Sequence, residues 1–519
     1  MKNNNDSFFL RVINYIRISL STIFKFFIRA KKYYWFITDF FKYKRFIKNQ
    51  NIYSQLTKKN DESICIAVVP WLGSCIPWYA ITIALLLNRK GKNIFLLFID
   101  LPFGDDELFH RVQSNLIFRV LNKLPIKLIK LSDYPDQDVR SNEISQLSKL
   151  NSLHYTHGET NHKLRQIYES TVEKQLEPIY SKLESFFKEE NFNQIILPGG
   201  VWGPSSIVAL FAEKNSIQLT TYDSDVGELL MSNFGIAAQL KDIPYSFKRL
   251  LNNSQEKSFA VQKGLDQIHN RRFGKDSGSS SHFIKATDIA EYDNNYYLML
   301  LNSVWDTAAL GLHTVYETMM EWILDSIDWV LKNTNRTIII RQHPAERSKH
   351  IDNTDAYDKK IKARFGDNKR IKFIKASENV NTYDLIEKSF CVLGFSSTIV
   401  VESVALGKPA VIVSSAYFDK FGIVYNASSK KEYYMYLKKA LENELIVTQE
   451  MKDRACVSNY ITQSCNWYKT EFTPVRNNYL KWSKLSLEEL EKDYLPLQAI
   501  LKNVPLSIIQ HERFLNDIK

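Results

Sequence analysis

Cysteine is scarce in this chain of 519 residues. Five are present, at 65, 75, 391, 456 and 465, and no two have Cys-x-x-Cys spacing. That excludes a disulfide framework and a cysteine-based zinc site, and it fits a reducing compartment. Long uncharged apolar runs are also missing. None approaches the roughly 18–20 residues that a spanning helix needs. Charges interrupt the apolar N-terminal stretch throughout and no small-residue cleavage site follows it, so it is not a secretory signal. A general excess of positive charge is absent too, although the net charge is +11. Of 68 basic side chains, 11 lie in residues 1–50 against only Asp6 and Asp39 of the 57 acidic ones, and the remaining 57 and 55 nearly cancel. A nucleic-acid binder would spread a basic surplus over its body, and this chain confines its surplus to one aromatic-rich end.

That end is distinctive. From 11 to 32, Arg11, Asn14, Arg17, Ser21, Lys25, Arg29 and Lys32 form one polar stripe at helical spacing, while Ile13, Ile16, Leu20, Phe24 and Phe27 take other faces. Residues 1–55 are expected to be a basic, aromatic amphipathic helix lying on an anionic membrane surface, dispensable for folding of the rest. The alternative is a helix packed on its own domain with a basic outer face.

A chain this long exceeds one hydrophobic core, so two domains or more are expected. From 64 the pattern is strand and helix in alternation: "ICIAVVP", a helix ending at Gly91, "NIFLLFID", then a charged helical stretch, "QIILPGG" and "IQLTTYD". A second series begins with "YYLMLLN" at 296 and runs through "TIIIR", "IKFIK", "FCVLGF" and "PAVIV". Strands that are apolar throughout and separated by helices imply parallel sheets covered on both sides. The expected class is α/β with two Rossmann-like domains facing a cleft, at 60–250 and 291–470. Residues 251–290, which include "GKDSGSSS", read as a linker or mobile loop. The tail 471–519 reads as helices that return to the first domain.

Ligands of doubly wound sheets bind beyond the carboxyl ends of the strands, so the residues there carry the chemistry. "IIIRQHP" ends a buried strand in Arg341, His343 and Pro344. A guanidinium fork and an imidazole suit phosphate oxygens, and the proline fixes the turn. "LGFSSTIVVESVALGKP" ends another strand at a helix start, where Ser396, Ser397 and Thr398 supply hydroxyls, and Glu402 one turn on could accept from ribose hydroxyls. Gly73-Ser74 and Gly199-Gly200 follow strands and would let a substrate approach the backbone.

"NSVWDTA" at 302–308 with its Asp306, "EWILDSI", "IIIRQHPAE", "SSTIVVESVALGKPAVIV" and "AYFDKFGIVYNASS" together resemble bacterial capsule and surface-polysaccharide biosynthesis proteins of the GT-B glycosyltransferase fold. The resemblance covers roughly 195–225 and 295–430. In that family, and in the similar bacterial sialyltransferases and Kdo transferases, a His-Pro pair and a Ser/Thr cluster hold the donor's phosphate and sugar. It therefore assigns donor binding to His343, Ser396, Ser397 and Thr398, with Arg341 and Glu402 in support. Some members have lysine and glycine where this chain has Ile399 and Val400, so the donor nucleotide stays open.

The resemblance also implies a base in an Asp-x-Gly turn, which here is Asp225-Val226-Gly227, with Asp223 second. "DSD" at 223–225 has the letters of a metal-binding Asp-x-Asp, but it is read as this turn, and neither a metal nor a cofactor beyond the nucleotide-sugar co-substrate is expected. The implied activity is inverting transfer of a sugar, such as a CMP-linked Kdo- or sialic-type sugar, to a growing surface polysaccharide or lipid-linked glycan. It would run on the cytoplasmic face of the membrane. A CDP-polyol phosphotransferase of the teichoic-acid type and a non-catalytic polysaccharide-assembly subunit are the alternatives.

Overall fold

The apolar runs of the sequence are strands, and they are apolar throughout because both faces are covered. The computed structural model describes residues 28–50, 62–71, 75–104, 106–137, 142–156, 162–225, 227–273, 275, 294–303, 305–306, 314–347 and 356–517. The chain is mixed α/β and divides into two compact units, Met1–Pro135 with Thr470–Tyr494, and Asp136–Lys469 with Leu495–Lys519.

In the first unit β1 (Ser63–Val68), β2 (Asn93–Phe98) and β3 (Lys127–Lys130) run parallel with β2 in the middle. The helix Ile76–Arg89 joins β1 to β2 and is buried from Pro77 to Asn88, which its nearly unbroken apolar composition demands. A helix over 28–49 belongs to the same unit. Phe36, Phe40, Tyr43 and Phe46 recur at helical spacing on its inner face and are all buried. Tyr43 stacks on Trp78 with ring centroids 4.9 Å apart, and Phe46 meets the edge of Trp482 at 5.9 Å. Asp39, 3% exposed, accepts a bidentate pair from Arg476 Nε and Nη2 at 2.8 and 3.1 Å.

This helix is thus core for its unit, which corrects the expectation that it is dispensable. Its outer face leaves Tyr34, Ile37 and Phe41 exposed beside Lys44, Arg45 and Lys48. The polar stripe expected over 11–32 lies mostly outside the described residues. Among the described residues no helix is long and apolar enough to cross a membrane.

In the second unit β4 (Gln194–Pro198) pairs parallel with β5 (Gln218–Asp225), which turns back antiparallel into β6 (Glu228–Ser232). A second sheet contains β7 (Tyr297–Leu300), β8 (Ile338–Arg341), β9 (Ile371–Ile374), β10 (Cys391–Gly394), β11 (Ala410–Ile412) and β12 (Tyr425–Asn426). Its order is β12-β11-β10-β7-β8-β9, with every pair parallel. The chain moves outward from β7 to β9, then returns to β10 and moves outward the other way. This is the doubly wound order, and its direction reverses between β7 and β10. Leu298, Leu300, Ile339 and Val392 pack on one face, and Tyr297, Met299, Ile340 and Leu393 on the other. The last strand, β13 (Trp467–Lys469), is antiparallel to β6.

Two expected boundaries move. The compact units do not follow 60–250 and 291–470. Residues 136–250 belong with the second unit, and 470–494 are drawn into the first by Arg476, Tyr479 and Trp482. After the helix Ile243–Leu251, about half of the expected linker 251–290 is a second helix, Ser254–Arg272. The second starts at Asn253, whose side chain accepts from Gln255 N and Glu256 N, and buries only Ala260, Gly264, Ile268 and Arg271. So thin an apolar face is easily lost among its charges. Gly264 is required there, because a Cβ would lie 2.0 Å from the Cys456 carbonyl oxygen of the helix Gln449–Tyr460. The "GSSS" run at 278–281 lies outside the described residues.

Candidate active site

The end of β8 shows what each residue of Arg-Gln-His-Pro does. Arg341 turns back into the protein, donating from Nη1 to Lys375 O and from Nη2 to Glu378 O at 3.3 Å. Gln342 accepts from Ala376 N at 3.0 Å and donates from Nε2 to Glu346 at 2.7 Å. These bonds fasten the loop after β8 to the loop after β9. Pro344 opens a 3₁₀ turn, and Glu346 N donates to His343 O at 3.0 Å. His343 stands between these fixtures on the wall of a cavity of about 210 Å³. Its imidazole is pushed down to about 4, first by desolvation and then by the Arg341 charge, so it is neutral at neutral pH.

The same cavity is lined by Ser397, Thr398, Ile399 and Glu402 at the end of β10, and by Leu300 and Leu301 at the end of β7. These strands flank the reversal point of the sheet, where ligands of this topology bind. Gly394 closes β10 because a Cβ there would come within 2.5 Å of Val400 Cγ1, so only glycine lets the strand pass so close under the helix Ile399–Ala405. Thr398 precedes that helix without a side-chain capping bond.

Glu402, expected to face this crevice and accept from ribose hydroxyls, does line the cavity, but both its oxygens already accept from protein groups. It is 3% exposed, its Oε1 accepts from Arg271 Nη1 at 2.6 Å and its Oε2 from Tyr383 OH at 2.5 Å. Arg271 also donates from Nη2 to Gln463 Oε1 at 2.7 Å. Burial and the Glu402 charge both raise the Tyr383 hydroxyl's pKa, so it remains a donor. Arg271, Tyr383 and Gln463 line the cavity with Glu402, and sequence reasoning missed all three. The available signal was the spacing of Ala260, Gly264, Ile268 and Arg271. Gln463 gave none, since it sits in the turn of π-helix at Ile461–Cys465.

The remaining expected residues are dispersed. Ser396 is half-buried and outside the cavity wall. The strand expected to stop at 223 continues to Asp225 and pairs back with β6, with Gly227 at φ +75° just before Glu228, while Val226 lies outside the described residues. Asp223 is exposed, accepts from Ser224 N at 2.8 Å and does not line the cavity. The side chain of Asp225 lies outside the described residues, as do Gly73 and Ser74. Asp306 is exposed, its N–H donating to Ser303 O. Gly200, at φ +109°, lines a different cavity of about 680 Å³ with Leu210, Phe234 and Ile236.

The crevice of this doubly wound sheet brings together an imidazole, two hydroxyl-bearing side chains and a guanidinium braced by a carboxylate. Residues 238–451 match the family model described as "Capsule polysaccharide biosynthesis protein", a stretch holding every residue named above for the cavity at His343 except Gln463. No curated protein matches by sequence. Among solved structures, a Thermosulfurimonas dismutans KpsC, described as a β-Kdo 2,4 transferase, is 13% identical over 51% of this chain and 79% of that one, with a TM-score of 0.34. The β-Kdo 2,7 transferase of the same KpsC is 13% identical over 53% and 79%, at 0.32. The Methanocaldococcus jannaschii UDP-GlcNAc 2-epimerase, in complex with UDP-GlcNAc and UDP, is 15% identical over 77% and 99%, at 0.27.

Proposed function

We propose that the protein is a glycosyltransferase of capsule polysaccharide biosynthesis that binds a nucleotide-activated sugar in the cavity at the ends of β7, β8 and β10. The observation that carries this reading is a neutral His343 set beside the Ser397 and Thr398 hydroxyls at the reversal point of a doubly wound sheet. In this reading the acceptor hydroxyl attacks the anomeric carbon as the bond from that carbon to the phosphate oxygen breaks. The attacking hydroxyl's proton passes to a carboxylate, for which Asp225 remains the proposed base. Charge developing on the departing phosphate is met by hydrogen bonds from His343, the two hydroxyls and the Arg271 guanidinium, in a site largely removed from water. Inversion at the anomeric carbon, independence of metal and a CMP-linked Kdo- or sialic-type donor are further parts of the proposal. So is a peripheral place on the cytoplasmic side of the membrane, for which Tyr34, Ile37 and Phe41 beside Lys44 and Lys48 supply an apolar and cationic face.

A thermal-shift panel of CMP, UDP, GDP and CDP tests the site directly, since a ligand at 100 times its dissociation constant adds about 2.7 kcal/mol of stability. Failure of all four to shift the protein would overturn the reading. Donor hydrolysis assayed with nucleotide-sugars and with CDP-polyols separates a glycosyltransferase from a polyol-phosphate transferase, and binding without any turnover marks an assembly subunit. Pelleting with anionic vesicles at low salt, reduced in Phe41→Glu while the melting temperature holds, tests the membrane face.

A further inference from the structure

The turn of π-helix at Ile461–Cys465 gives the cavity one more donor. It continues the helix Gln449–Tyr460 by a wider turn, a form that recurs at functional sites. Three side chains of this segment follow one stripe of the helix Ser254–Arg272. Asn459 donates from Nδ2 to Gly264 O at 3.3 Å, Ser464 donates from Oγ to Gln267 Oε1 at 3.3 Å, and Gln463 accepts at Oε1 from Arg271 Nη2 at 2.7 Å. Ile461, Thr462 and Cys465 are buried, and Gln510 Nε2 donates to Cys465 O at 2.5 Å. The backbone that carries Gln463 is therefore fixed on both sides of it. Gln463 itself is half-buried and lines the cavity, although it lies beyond the matched stretch 238–451.

The bond to Arg271 also settles which way the amide faces. A guanidinium only donates, so the atom against it is the carbonyl oxygen and the NH2 group is the end left over. Among the described residues Nε2 has no hydrogen-bond partner, and it is not one of the buried polar atoms sealed from water. A carboxamide in the cavity wall with its oxygen satisfied and its N–H bonds unspent is a donor to whatever fills the cavity. Glu402 on the same wall already has both oxygens engaged, by Arg271 and Tyr383. Donors set beside a guanidinium select an oxygen that only accepts, and in a nucleotide-sugar the phosphate carries such oxygens, whereas a sugar hydroxyl has its own proton to place. We infer that Gln463 donates from Nε2 to an oxygen of the donor's phosphate beside Arg271, and so both orients that guanidinium and binds the leaving group with it. The inference rests on the nucleotide-sugar reading of the site and adds a binding residue to it.

The test uses the full chain as wild type, Gln463→Met and Gln463→Glu. Affinities are measured for CMP, UDP and GDP and for cytidine, uridine and guanosine, and the readout is the gain of each nucleotide over its own nucleoside. Gln463→Met keeps the length of the side chain without its amide, and should lose roughly tenfold or more of the largest gain, the scale of one hydrogen bond to a charged group, while nucleoside affinity holds. Gln463→Glu keeps an oxygen against Arg271 and replaces the N–H donors by a second oxygen. At high salt, where distant repulsion is screened, it should lose at least as much of the gain as Gln463→Met does. A wild-type gain in Gln463→Glu would mean that the side chain only orients Arg271, and a wild-type gain in Gln463→Met that it does nothing for the phosphate. Either result overturns the inference. Equal losses for nucleoside and nucleotide would move the contact to the base or ribose and overturn it as well. No gain from the phosphate in a wild type that still binds nucleotides would sink the inference alone, whereas no binding of any nucleotide would sink the reading of the site beneath it.

Discussion

Two arginines at the cavity wall were positioned by different means, and their difference explains how the site is charged. Arg341 ends β8 and spends its hydrogen bonds on the carbonyl oxygens of Lys375 and Glu378, so it ties two loops together while its charge reaches His343. Arg271 ends the helix Ser254–Arg272 and is braced by the Glu402 carboxylate and the Gln463 amide. One region supplies a field that, second to desolvation, helps keep an imidazole neutral. The other supplies a guanidinium whose buried charge is already balanced. A conspicuous strand-end arginine therefore does scaffold work, and one in an apparently featureless stretch reaches the cavity. Residue type at a strand end is weak evidence of contact with a ligand until its hydrogen bonds have been followed.

Breaking the balanced side should produce the largest effect. Glu402→Ala leaves Arg271 buried without its carboxylate, and truncating one partner of a buried pair costs about 3–5 kcal/mol. Denaturant unfolding should show that loss, and Arg271→Met combined with Glu402→Leu should recover most of it. A double variant as unstable as Glu402→Ala would mean that the carboxylate acts through Tyr383 instead.

The field on the other side sets a pH dependence of the next size. His343 has its folded pKa depressed to about 4 from an ordinary 6.5, so the unfolded chain binds its proton first as pH falls. Its contribution is complete above about 6.5 and is lost as pH falls towards 4, on the order of 2–3 kcal/mol in all. His343→Gln should flatten the stability profile over that window, and an unchanged slope would show that other groups cause it. Arg341→Met removes the links to Lys375 and Glu378 and strands their carbonyls, costing about 1–3 kcal/mol, and should also move the His343 titration upward by NMR.

The smallest effect sharpens the contrast in function rather than stability. His343→Ala should leave the melting temperature within a few degrees of wild type and weaken nucleotide binding by about tenfold, near 1.4 kcal/mol. Normal binding in a markedly destabilised variant would make His343 a core histidine.

The strands of both series were legible because residues buried on two faces leave short, β-branched apolar runs such as Ile338–Ile340, bounded by turn residues. His343, Ser397 and Thr398 were legible because they follow such runs. The helix Ser254–Arg272 was not, since four buried positions in nineteen leave a faint period, and Gly264, which reads as a breaker, is there for close packing. The brace on Glu402 was hidden for a different reason, because Arg271 and Gln463 are 131 and 61 residues away in sequence. Nor does local pattern reveal that aromatic residues near 40 and near 480 share one core.

That last pairing governs the order in which the protein can be made. The helix over 28–49 and strands β1 to β3 leave the ribosome early, yet Asp39 meets no Arg476, and Phe46 no Trp482, until residues 470–494 have been synthesised. At about 5–20 residues per second, the chain between 135 and 470 takes roughly 17–67 s to make. For that interval the first-made unit waits with an aromatic face uncovered, and a nonsense codon anywhere before 470 leaves it so permanently. A core that begins to assemble around residue 40 is closed by a segment made more than three hundred residues after β3.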